Sequence, residues 1–117
     1  QIINPLNVQA LLLDGTWKLK DLSSAVKDGN VEESFSGLEF IIYGSTKIGG
    51  NYSTVNSTDK DVWPQSGTWT FYNDDPNKIL RNDSVLITVS VSDTTLTSSF
   101  TVIGGLKEGN WEFNFVK

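Results

Sequence analysis

The sequence predicts an all-β chain, an antiparallel up-and-down β-barrel of about eight strands entered through one short N-terminal helix. Three observations predict it. Hydrophobicity alternates with period two from Trp17 onward, turn-forming residues fall between the alternating runs, and one segment alone carries helical spacing.

The helical segment is "NPLNVQALLL", residues 4–13. Asn4 is placed to cap, Pro5 sits in the first turn, and Leu6, Ala10 and Leu13 share a face. The clearest alternation follows in residues 84–103, where Val85, Ile87, Val89 and Val91 share one face and Leu96, Phe100 and Val102 answer them after a turn at Ser92, Asp93 and Thr94. The closing run "NWEFNFVK" sets Trp111, Phe113 and Phe115 against Asn110, Glu112 and Asn114, and "GTWTFY" sets Trp69 and Phe71 against Thr68, Thr70 and Tyr72. Further strands are expected at Thr16 to Leu22, Leu38 to Gly44, Gly49 to Val55 and Asn77 to Arg81. "LEFIIYG" is apolar on both faces in its middle, which predicts the N-terminal helix or a loop over Ile41. The runs "KDGN", "GSTKIGG", "NDDPN", "SDT" and "GGLKEGN" supply turns. Eight strands with one apolar face each can curl into a barrel or stack as two sheets; short sequential links and the removal of exposed edges favour the barrel.

At 117 residues the chain fits a single domain, residues 1–117. Four Trp, three Tyr and six Phe provide a core of large rings. Having neither His nor Cys, the chain lacks thiol nucleophiles, the commonest general base and the commonest transition-metal ligands, so a non-catalytic protein with no cofactor and no metal is expected. A net charge of −5 without a basic cluster argues against nucleic acid. No apolar run is long enough to span a bilayer. The opening "QIINPLNVQA" has neither Met nor the basic-then-apolar pattern of a signal peptide and reads as a processed or trimmed chain.

"LDGTWKL" resembles the opening motif of the lipocalins, a Gly-x-Trp at the start of the first strand after a helical lead-in. The whole layout resembles the small lipocalin-like domains of Bacteroidota secreted lipoproteins, with a first "GTW" at Gly15 to Trp17, a central "GTWTF" at Gly67 to Phe71 and a closing "WEFNF" at Trp111 to Phe115. The resemblance implies a lipocalin-like barrel from a secreted, periplasmic or surface-anchored bacterial protein, with any lipid anchor lying outside this stretch. Many members of the grouping have no assigned function. The chain departs from the pattern in lacking a Thr-Asp-Tyr between mid-barrel strands and an Arg to stack on Trp17, for which Lys117 is the nearest substitute.

Physically, Gly15 turns the chain into the barrel floor and Trp17 plugs the lumen. The inward phase elsewhere carries Phe40, Trp69, Phe71, Phe100, Trp111 and Phe113, which either fill the barrel or line a pocket for a small apolar ligand. Trp63, in the polar connection 56–66, and Tyr52 are expected at the rim, where Trp63 is a stacking platform or folds back over the core. Arg81, the one Arg, sits at a strand end beside Asn82 and Asp83, which argues against a fatty acid gripped by an internal Arg. The acidic pairs Asp59 with Asp61 and Asp74 with Asp75 read as turns, since glycosidase carboxylates face each other across a cleft. The sequons at Asn51, Asn56 and Asn82 are short motifs in an Asn-rich and Ser/Thr-rich chain. Binding of a small apolar ligand in or at the mouth of the barrel is the leading expectation; the alternative is glycan or protein contact through surface loops on a filled barrel.

Overall fold

Asn4 caps the helix as its residue type dictates: its Oδ1 accepts the Leu6 N–H at 2.9 Å, and Pro5 follows where no donor is needed. The computed structural model describes residues 4–117. After helix α1 (Pro5–Leu13) come β1 (Gly15–Leu19), β2 (Ala25–Lys27), β3 (Asn30–Val31), a 3-10 turn (Glu33–Phe35), β4 (Glu39–Tyr43), β5 (Gly49–Val55), β6 (Ser66–Tyr72), β7 (Asp75–Arg81), β8 (Leu86–Val91), β9 (Thr95–Val102) and β10 (Gly109–Val116).

Eight of these strands close a ring in the order β1, β4, β5, β6, β7, β8, β9, β10 and back to β1, every neighbour antiparallel. The expected up-and-down barrel is the observed fold. Tight turns make the links short. Asn73 and Asp74, with φ of 52° and 56°, form the two-residue turn between β6 and β7, and the strand resumes at Asp75.

The polar connection at 23–36 holds more structure than its composition suggests. β1 pairs with β10 only at Lys18 and Leu19, and β2 then takes over the same edge opposite Trp111 to Phe113. Bonds from Lys20 N to Asn114 O and from Asn114 N to Ser24 O, each 3.0 Å, carry the ladder across the junction while Asp21 to Ser23 bulge outward. Phe35 from the 3-10 turn is buried edge-on against Trp111 and Phe113.

Alternation places Trp17, Phe40, Ile42, Trp69, Phe100 and Val102 inside, together with the closing file Trp111, Phe113 and Phe115. Phe71 is half-buried at the margin. Consecutive rings of the file lie 5.4 and 5.9 Å apart and nearly parallel. The floor of the barrel, the end that carries α1, is closed by Leu13 and Trp17. Trp17 Nε1 donates to Leu13 O at 2.8 Å, and Lys117 Nζ lies 4.8 Å from the indole centre, taking the stacking position for which the sequence offers no Arg. Gly15 has φ +139°, and a Cβ there would collide with the Lys117 side chain. Gly67 answers a different need: a Cβ there would come within 2.9 Å of the Tyr52 hydroxyl. α1 is not the cover over Ile41. It packs on β7 and β8, and Ile41 is half-buried.

Candidate functional site

The connection between β5 and β6 folds into the mouth, the end opposite α1. Trp63 is 0 % exposed, with ring centres 4.5 Å from Phe40, 5.1 Å from Phe100 and 5.4 Å from Phe113. Of the two expected placements, the fold-back over the core is the observed one, and Trp63 is a cork: a ring this large gains more from an aromatic interior than from water. Tyr52, expected at the rim, is buried edge-on to Phe40, and burial pushes its hydroxyl pKa up, partly offset by the Arg81 charge.

Arg81 holds the cork in place. It is 2 % exposed, an internal Arg despite its position at a strand end. Its Nη1 donates to Val62 O at 2.6 Å and its Nη2 to Asp61 O at 3.3 Å. The guanidinium also lies 5.7 Å from the Trp63 ring centre and 5.5 Å from that of Phe100. Asp83 neutralises it through two bonds of 2.8 and 2.7 Å, and those bonds hold the Asp83 carboxyl below the usual carboxylate range. With its donors committed to Asp61, Val62 and Asp83, Arg81 has no free fork for a ligand carboxylate.

The concavity lies in the wall. β8 pairs with β7 only through Leu86 to Thr88 and with β9 only through Thr88 to Val91, so it swings away from one neighbour on each side of Thr88. Two seams result. The floor seam, between β7 and β8, is where α1 packs, and Gln9 Nε2 there donates to Pro76 O at 2.9 Å. The mouth seam, between β8 and β9, has no covering element among the described residues and widens into a cleft of about 1080 Å³. Phe100, Val102 and Trp111 form its inner side, Thr88, Ser99 and Thr101 its outer side, and Asp61 and Asp83 its acidic end. Ile103, 89 % exposed, and Leu106, 95 % exposed, stand on the loop beside it.

A smaller recess of about 480 Å³ lies over the β1–β2 bulge, beside Thr95, Thr97 and Asn114. Ser23 and Ser24 hydroxyls donate to Asp21 there at 2.7 and 2.8 Å and lower its pKa.

Of the residues expected to contact a ligand, Phe100 and Trp111 reach the cleft; Phe40, Trp63, Trp69 and Phe113 fill the lumen with their own rings, and Phe71 packs at its margin. The contribution of Asp83, Leu86 and Thr101 was not legible, because alternation runs unbroken through both strands and says nothing about where their pairing stops. Among the described residues no group of three or more Asp or Glu is arranged to hold a metal ion, and no helix is long and apolar enough to cross a membrane.

Fold and site together define a closed antiparallel barrel with a filled lumen and one open seam in its wall. Comparisons with models of known families, with curated proteins and with solved structures find no match.

Proposed function

We propose that the protein is a non-catalytic binding module that engages its ligand at the mouth of a filled barrel, in the β8–β9 seam. The observation that carries this reading is the asymmetry of the two seams: the chain covers one with α1 and leaves the other as a cleft with an apolar inner side and a polar rim. The corked lumen argues against a ligand held inside, and the bare Ile103 and Leu106 favour contact through the surface at this end. Membership of the lipocalin-like grouping and a secreted or surface-anchored setting belong to the same proposal and rest on the "GTW", "GTWTF" and "WEFNF" resemblance.

The test is a fragment screen read by amide chemical shifts on the whole chain. The proposal expects binders whose shifts cluster at residues 83–88 and 99–105. Shifts centred on Phe40, Trp63 and Phe115 would return the site to the lumen and contradict it.

A further inference from the structure

We infer that the free edge of β9 takes an extended peptide carrying a basic side chain, added as a further strand at the mouth; this rests on the binding-module reading above and names its ligand class.

The phase of the ladder shows which groups are free. Ser92 N donates to Thr95 O at 2.8 Å, which makes Ser92/Thr95 a hydrogen-bonded rung, and in an antiparallel pair such rungs recur every second residue. The following rungs are Ser90/Thr97 and Thr88/Ser99, both in the observed register. The next, Leu86/Thr101, is missing from it. Phe100 and Val102 turn their N–H and C=O toward β10, so β9 remains anchored on its far side while the N–H and C=O of Thr101 face the cleft.

The chain shows how such an edge is used. Where β1 leaves β10, the upper edge of β10 is taken by β2, a short strand from a surface connection. Where β8 leaves β9, no strand among the described residues takes the vacated edge. A peptide supplies the N–H and C=O that such an edge demands, whereas a hydrocarbon offers neither.

The charge of the cleft sets the side-chain preference. Among the described residues no Lys or Arg lines it. Arg81 engages Asp83, but among the described residues the Asp61 carboxylate, beside Gly105, stands in no ion pair, and the carboxylate that accepts within its turn is that of Asp59. A Lys or Arg on the incoming strand meets the Asp61 carboxylate, and Leu86 and Ile103 offer apolar contact to its neighbours.

The experiment titrates the intact chain with acetyl-Thr-Val-Lys-Val-Thr-amide, with the same peptide bearing Glu for Lys, and with a copy N-methylated at both Val nitrogens. Amide exchange is followed throughout. Saturating Lys peptide is expected to slow Thr101 exchange about tenfold or more, and N-methylation to weaken binding about tenfold through lost rungs. The Glu peptide is expected to bind more weakly, with Asp61→Asn reducing that preference. Thr101→Pro removes the N–H on the cleft side and leaves the bonds to β10, so it is expected to abolish binding while the fold persists; the N-methylated peptide tests the same rung without touching the protein. Equal binding of the N-methylated peptide overturns strand addition. No peptide binding beside fragments that still map to residues 83–88 and 99–105 overturns this inference and leaves the binding-module reading standing. Concentration-dependent dimers lost in Thr101→Pro, with no peptide bound, would assign the edge to a second copy and also overturn it.

Discussion

Arg81 and Asp83, two residues apart across the end of β7, make a two-pronged ion pair whose cation is buried and whose anion is 40 % exposed on its side chain. The buried guanidinium relies on that carboxylate and on the Val62 carbonyl, so the pair ties the cork of the lumen to the rim of the cleft.

Removing the anion is expected to cost stability and to do so in a pH-dependent way. Asp83→Asn is expected to destabilise the fold by about 1–2 kcal/mol, the lower part of the range for hydrogen bonds to charged groups because solvent screens a partly exposed carboxylate. The folded-state pKa of Asp83 is depressed, so its contribution is full above the unfolded value of about 4 and is lost as pH falls through the lower folded value. Urea unfolding at neutral pH and at about pH 3 checks this, with the gap between wild type and variant narrowing in acid. A gap independent of pH would contradict it.

Trp63→Ala is expected to destabilise by about 3–5 kcal/mol, the range for emptying a large aromatic site. The variant is also expected to admit an apolar fluorescent probe that the wild type excludes, because the ring occupies the lumen among Phe40, Phe100 and Phe113. Probe binding by wild type that Trp63→Ala abolishes would make the ring a ligand contact.

Ser98 is fully buried on the inner face of β9, and its hydroxyl meets no hydrogen-bond partner among the described residues. Ser98→Ala removes an unpaired polar atom and is expected to stabilise by on the order of 1 kcal/mol, read as a raised Tm. A lowered Tm would mean that the hydroxyl is paired.

Gly15→Ala is expected to destabilise by about 1–3 kcal/mol, since a side chain at φ +139° is strained and its Cβ collides with Lys117. Shortening the obstructing side chain in Gly15→Ala/Lys117→Ala is expected to recover only part of that loss, because the backbone strain remains. Full recovery would make the collision the entire cause.

How far the sequence could be read follows from what each signal encodes. Period-two alternation identified the eight barrel strands, because burial acts on each side chain locally, and Asn4, Pro5 and Gly15 marked the helix and its exit for equally local reasons. Trp63 was legible as the odd Trp, a platform or a ring folded back over the core, but the choice between the two was not. Its position depends on Arg81 reaching Val62 and Asp61 across about 20 residues of chain, a contact that no local pattern encodes. The short strands β2 and β3 were hidden in a polar connection whose Asp28-Gly29 turn was visible, since strands this short carry too few positions to show a period. The cleft was the least legible feature. It arises from the register of β8 between two neighbours, and register belongs to the pair rather than to either strand.

The most direct measurement is amide hydrogen exchange along β9 in the unliganded chain. An open mouth seam requires an alternating pattern, with Thr97 and Ser99 slow in their rungs to β8, Phe100 and Val102 slow in their bonds to β10, and Thr101 fast between them. Thr101 as slow as Ser99 would mean that β8 and β9 pair to the mouth, and the proposed site would not exist.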